Sequence, residues 1–299
     1  MQTAKKILMV RPAKFAYNEQ TAKNNYFQEK LANSNLNDKA LEEFDNFVNV
    51  LRDNEVEVIV VQDTEYPHTP DSIFPNNWFS THPTGELVLY PMFAENRRAE
   101  RKPTVLGSIQ RHFPANKTID LTYGESENKF LEGTGSIILD HTSKIAYACR
   151  SERTNEELFH EFCKQMSFEP VLFSAFDENH NPIYHTNVML SVGENLAVIC
   201  TESITDEKER THVINSLRET KKEIVEISLN QMKHFCANVL EVYSLDNENR
   251  LIMSEAAKNA FTSDQKDVIK RHCKIISSPL QTIEQVGGGS ARCMVAEIF

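Results

Sequence analysis

The 299-residue sequence has no hydrophobic run long enough to cross a membrane as a helix. Its basic start, Lys5-Lys6-Ile7-Leu8-Met9-Val10-Arg11-Pro12, holds an apolar run of four. That is too short for a secretory leader and reads as a first strand stopped by Pro12. Positive charge is also in short supply. Lys and Arg number 32 against 43 Asp and Glu, for a net charge of −11. This balance argues against nucleic acid and against anionic membrane surfaces as partners. The six cysteines (Cys149, Cys163, Cys200, Cys236, Cys273 and Cys293) include no C-x-x-C pair. Neither a disulfide framework nor a metal site is expected, and a reduced cytoplasmic setting is. His160 and Cys163 read as one face of a helix rather than as zinc ligands. A nucleotide-binding glycine motif is missing as well. Gly133-Thr134-Gly135 is followed by no Lys-Ser/Thr pair and no helical pattern, so no cofactor is expected.

Glycine is scarce, yet three of nine stand together in Gly287-Gly288-Gly289-Ser290-Ala291-Arg292-Cys293. Glycine permits close approach of the backbone or positive φ. A cysteine presented at such a turn is a candidate nucleophile if a histidine reaches it. The competing reading is a buried structural cysteine.

Apolar residues at helical spacing mark helices near Asp38–Arg52, Thr154–Met166, Asp206–Thr220 and Ser263–Arg271. Thr154 with Glu157 resembles a capping box, and Thr205 with Glu207–Lys208 does so less cleanly. Between the helices lie four hairpins with polar turns, whose second strands begin at Leu87, Ile145, Leu196 and Leu251. The separations of 58, 51 and 55 residues suggest repeated units around an axis. Cys293–Phe299 looks like the first strand of a fifth hairpin and Ile7–Val10 like a second strand. Pairing these two would close a ring and remove an exposed edge. The expected fold is therefore α/β, a single closed propeller-like domain of five units covering residues 1–299.

One polar residue stands at the same point of each unit, just before or at its first strand: Asn77, Glu132, His185, Asn238 and Cys293. Around an axis these side chains would converge on one pocket, with Asn77 and Asn238 as substrate-binding candidates. An ordinary cysteine, with a pKa of about 8.5, is only a few per cent thiolate at pH 7. A neighbouring imidazolium would raise that fraction, and His185 is the candidate partner, able also to protonate a leaving nitrogen. Glu132 is placed to orient the histidine or to bind substrate nitrogens.

The spaced set Asp71…Asn77, Arg98, Glu132-Gly133, Arg153-Thr154-Asn155, His185 and Cys293 resembles the pentein superfamily. That group includes arginine deiminases, amidinotransferases and dimethylarginine dimethylaminohydrolases. Phe74-Pro75-Asn76-Asn77-Trp78-Phe79-Ser80 and the Gly287–Cys293 segment are most similar to bacterial citrulline-utilisation hydrolases. The resemblance implies a five-bladed α/β propeller and cysteine chemistry on a guanidine-type carbon. Cys293 would be the nucleophile and His185 the acid/base. Glu132 and Asp71 would hold substrate nitrogens, and Arg98 and Arg153 would be clamps for the α-carboxylate of an amino-acid substrate. Asn77 and Asn187 depart from the family, since deiminases commonly carry aspartate there to pair with a cationic guanidinium. Asparagine is neutral and offers both a donor and an acceptor, so the site should tolerate a ureido group.

The resulting expectation is a C–N hydrolase of citrulline or an arginine derivative. An amidinotransferase using an amine acceptor, and a non-catalytic amino-acid-binding protein, are the alternatives. The polar stretch Lys14–Asp38 reads as a lid or a surface loop. Oligomeric state is left open, with a homodimer as the candidate assembly.

Overall fold

A computed structural model describes residues 1–31 and 35–299 of the chain. Strand β1 (Lys6–Arg11) pairs in parallel with β2 (Glu57–Gln62) after a crossover through the helix Leu36–Asp53. That helix buries Ala40, Phe44, Phe47, Val48 and Leu51, a stripe at i, i+4, i+7, i+8 and i+11. Each buried phenylalanine there contributes about 2 kcal/mol of apolar transfer.

Four further units share one plan. An antiparallel hairpin comes first, then a helical crossover, then a third strand parallel to the second. The first is β3 (Phe79–Thr81), β4 (Glu86–Leu89) and β5 (Lys117–Asp120). The second is β6 (Ile137–Asp140), β7 (Ile145–Cys149) and β8 (Glu169–Phe173). The third is β9 (Leu190–Val192), β10 (Leu196–Ile199) and β11 (Glu223–Glu226). The fourth is β12 (Leu240–Tyr243), β13 (Asn249–Ser254) and β14 (Lys274–Ser278). Finally β15 (Ala296–Ile298) runs antiparallel to β1, with Ile7 opposite Glu297, so the two ends of the chain share one sheet.

The hairpins form where the alternation and turn residues put them. The third strands escaped the sequence reading because they are outer strands with little apolar patterning. Lys117-Thr118-Ile119-Asp120, for example, buries only Ile119. The predicted caps also shift by one residue. Asn155, not Thr154, accepts from Leu158 N, and Asp206, not Thr205, accepts from Lys208 N and Glu209 N. A one-turn helix does begin at the glycines, over Gly133–Ser136, contrary to the sequence reading.

Side chains near the chain start tie neighbouring units together. Gln2 Nε2 donates to Leu139 O (2.9 Å) and Val192 O (3.2 Å), and Gln2 Oε1 accepts from His141 N (2.8 Å). Tyr243 N donates to Ala4 O at 3.1 Å. All six cysteines are buried and unpaired. Among the described residues no helix is long and apolar enough to cross a membrane, and no three His, Cys, Asp or Glu side chains converge to hold a metal ion.

His82 is buried among aromatic rings, with Phe162 at 6.0 Å and His141 at 5.5 Å, and its Nε2 lies 2.8 Å from Ser80 Oγ. Burial pushes its pKa down to about 3. The unfolded chain takes up a proton there below about pH 6.5, whereas the folded chain does not. His82 therefore leaves stability untouched above pH 6.5 and erodes it as the pH falls toward 3. In urea titrations the stability advantage of wild type over His82→Gln is expected to shrink by about 1.4 kcal/mol per pH unit below 6.5. A difference independent of pH between 6.5 and 4 would contradict this.

Candidate active site

A short turn leads into each inner strand, and the candidate polar residues stand on these turns. Asn77 ends the turn Pro75–Asn77, Glu132 precedes Gly133–Ser136, and His185 precedes Thr186–Val188. Asn238 lies two residues before β12, and Cys293 follows the turn closed by Cys293 N donating to Ser290 O. Asp71, Asn77, Arg97, Arg153, His185 and Cys293 line one cavity of about 10 Å³, room for a single water. A far larger cavity, about 970 Å³ beside Tyr26 and Phe27, contains none of the candidate residues.

Behind the cavity wall, Glu132 Oε2 accepts from His185 Nε2 at 2.8 Å and lies 3.5 Å from Arg153 Nη1. Its other oxygen accepts from Phe93 N at 2.9 Å. Both oxygens of Glu132 are thus occupied by the protein. Burial pushes the Glu132 carboxyl up, but Arg153, the His185 hydrogen bond and Arg97 outweigh it and hold it at about 2. His185 is driven the other way. Burial lowers it to about 4 against the pull of Glu132, so near neutrality it is an uncharged imidazole whose Nε2–H is donated to the carboxylate. Burial thus works against the imidazolium expected beside the thiol.

The cysteine sulfur is met by amides. Asn187 Nδ2 lies 3.4 Å and Asn238 Nδ2 3.2 Å from Cys293 Sγ. Among the candidate site residues, two buried acceptor atoms lack partners, Asp71 Oδ1 and Asn187 Oδ1. A buried acceptor without a donor is costly, so both are sites where ligand N–H groups gain the most. Burial raises the Asp71 carboxyl, opposed chiefly by Arg97.

Arg98 does not line the cavity. Its guanidinium donates to Met92 O and Phe93 O and stands 3.8 Å from Glu125. Neighbouring residues on a helix point about 100° apart, so only one of this pair can face inward. That one is Arg97, which binds both oxygens of Glu100 and donates to Asn77 Oδ1 at 2.7 Å. Glu100 at i+3 is a signal for Arg97, but Glu95 at i−3 is an equal one for Arg98, so spacing alone does not separate the two arginines.

Part of the stretch Lys14–Asp38 closes the cavity, while its residues 32–34 lie outside the described residues. Asn18 and Thr21 donate to Asp71 Oδ2 at 2.8 and 3.0 Å. Asn24 Oδ1 accepts from Arg153 Nε at 2.8 Å, and Asn25 donates to Gly288 O at 3.2 Å. Nothing in the sequence marks these residues beyond polarity. Gly288 takes φ +63°, and a Cβ there would stand 2.5 Å from Asn25 Nδ2. Gly135 is required by proximity, since a Cβ would lie 2.5 Å from Asn77 Nδ2 and 2.8 Å from His185 Nδ1.

Among solved structures, the chain is similar in fold to apo ArgZ, an arginine dihydrolase from the ornithine–ammonia cycle in cyanobacteria. The TM-score is 0.77 at 18% identity, over 98% of this chain and 40% of that one, so the chain spans well under half of the full ArgZ. The N-terminal domain of ArgZ, covalently bound to a reaction intermediate, matches with a TM-score of 0.74 at 17% identity, over 98% and 97% of the two chains. DDAH from Pseudomonas aeruginosa, a mutant complexed with citrulline, matches with a TM-score of 0.68 at 18% identity, over 99% of each chain. No curated protein sequence matches. Residues 11–299 do match a family model described as "N,N dimethylarginine dimethylhydrolase, eukaryotic". With that match over nearly its whole length, the chain belongs to the N,N-dimethylarginine dimethylhydrolase family of the pentein superfamily.

Proposed function

We propose that the chain hydrolyses a C–N bond of a guanidino or ureido amino acid through a covalent intermediate on Cys293. The site would lie at the hub of five units arranged as a closed propeller in one domain, residues 1–299. The pairing of β1 with β15 supports the ring. The observation that carries the chemistry is a single cavity lined by Cys293 and by His185, with Glu132 hydrogen-bonded behind the imidazole.

In this reading Cys293 adds to the central carbon as thiolate. His185, held by Glu132 through Nε2, takes the thiol proton on Nδ1 as the sulfur adds and delivers that proton to the departing nitrogen, and the C–N bond breaks to leave a thiouronium or thiocarbamoyl enzyme. Water activated by the same imidazole then releases the product. Asp71 Oδ1 and Asn187 Oδ1 accept substrate N–H groups. Arg97 fixes the Asn77 amide by occupying its oxygen, and one N–H of its NH₂ donates to Asn76 Oδ1 at 3.1 Å, which leaves the second N–H to face a ureido carbonyl. Arg153 holds the α-carboxylate once Asn24 withdraws, and Arg98 has no part in it. Opening of the covering segment is needed, because the closed cavity admits no amino acid. The neutral Asn77 and Asn187 favour citrulline, or arginine carried through to ornithine. For citrulline, one water yields ornithine, carbon dioxide and ammonia.

Mass spectrometry of the protein after incubation with citrulline, arginine or N,N-dimethylarginine tests this. An adduct on the Cys293 peptide and release of ornithine from citrulline are expected. Absence of an adduct with all three overturns the nucleophile assignment. Turnover of arginine with no ureido hydrolysis overturns the substrate assignment. Transfer to added glycine or lysine instead of water identifies an amidinotransferase.

A further inference from the structure

Asn238 is fully buried, and every polar atom of its amide is assigned by its neighbours. Its Oδ1 accepts from Arg292 N at 3.1 Å. Its Nδ2 donates to Asn187 O at 3.1 Å and to Cys293 Sγ at 3.2 Å. Rotating the amide by 180° would set NH₂ against the Arg292 N–H and oxygen against both a carbonyl and the sulfur. The donor end is therefore locked onto Cys293. Asn187 adds a second N–H to the same sulfur at 3.4 Å while its own oxygen stays open.

We propose that Asn238 is a catalytic residue that touches the reacting sulfur and stabilises its anion by amide donation, with Asn187 as the second donor, rather than a ligand of the substrate. The physical ground is that a hydrogen bond made to the charged form of a group favours that form, and bonds to an ionised acceptor are the stronger ones. The two amides supply the donors that a neutral imidazole tied to Glu132 does not. Through Arg292 N the same side chain also anchors the turn that carries Cys293, which makes placement of the sulfur and stabilisation of its charge one device.

The inference rests on Cys293 being the nucleophile, but its test needs no turnover. The rate of iodoacetamide alkylation of the Cys293 peptide is measured at pH 7 and pH 9.5 in wild type, Asn238→Asp and Asn238→Ala. The ratio of the two rates within one protein cancels differences in access to the buried thiol. Asn238→Asp keeps an oxygen for Arg292 N but turns the donor into a like charge. Its ratio is expected to fall at least about tenfold. Asn238→Ala removes the donor without adding charge and is expected to fall by roughly threefold. Ratios equal to wild type in both variants, with KM raised, would overturn the proposal and return Asn238 to the substrate. If the Asp variant does not fold, the Ala ratio decides alone. A wild type that shows no substrate adduct but whose variants shift as stated defeats the reaction and leaves the sulfur clamp standing.

Discussion

Cys293→Ser is expected to lower kcat by at least about 10⁴-fold while leaving the fold intact. Serine keeps an acceptor for the amides of Asn187 and Asn238, which otherwise would lose their partner in a buried site. The hydroxyl, however, ionises far less readily than a thiol, so even with His185 in the same cavity it is a far weaker nucleophile. Stability of the variant should stay within about 1 kcal/mol of wild type, measured as the urea midpoint. Turnover of citrulline or a substituted arginine within tenfold of wild type would remove the sulfur from the mechanism.

Glu132→Gln is expected to cost roughly 10³-fold in kcat and to destabilise the fold as well. The carboxylate accepts from His185 Nε2 and Phe93 N and faces Arg153, so every bond it makes is as an acceptor. An amide must turn its NH₂ toward at least one of these donors. The imidazole then loses the partner that fixes its proton on Nε2, and Arg153 loses a buried counter-charge. Breaking a buried pair by removing one partner costs about 3–5 kcal/mol, moderated here because Arg153 also binds Asn24 and Thr21 O. Activity and urea midpoint measured together separate the two effects. A stable variant with unaltered kcat would show that Glu132 does not orient the histidine.

The two expectations describe one arrangement. The imidazole is held by a carboxylate, and the sulfur that shares its cavity is met by two amides. Asp71, in the cavity with Arg97 and Arg153, and Asn187, beside the sulfur, each keep one acceptor without a partner. In the proposed reading, such a site would take a planar group rich in N–H donors. Its asparagines reduce the demand that this group be a cation.

Much of this was legible in the sequence because hairpins are local. Alternating apolar residues around polar turns fix a strand pair within about twenty residues, and four such pairs at near-equal spacing expose the repeat. The recurring position of Asn77, Glu132, His185, Asn238 and Cys293 follows from that spacing. The outer strands β5 and β11 were not legible, because one buried residue per strand leaves no period to read.

Side-chain direction was the other blind spot. Arg97 and Arg98 are equivalent as letters, and only packing of the short helix against the Asn77 turn decides which guanidinium enters the core. The charge of His185 was likewise decided by burial, which outweighs the carboxylate beside it. The covering residues Asn18, Thr21, Asn24 and Asn25 each reach a partner 50 or more positions away, in Asp71, Arg153 or Gly288 O. Local sequence determines which chemical groups exist and in what order they are presented. Long-range packing determines which of them meet, how each amide is turned and which charges survive desolvation, since those energies depend on neighbours that no short window of sequence contains.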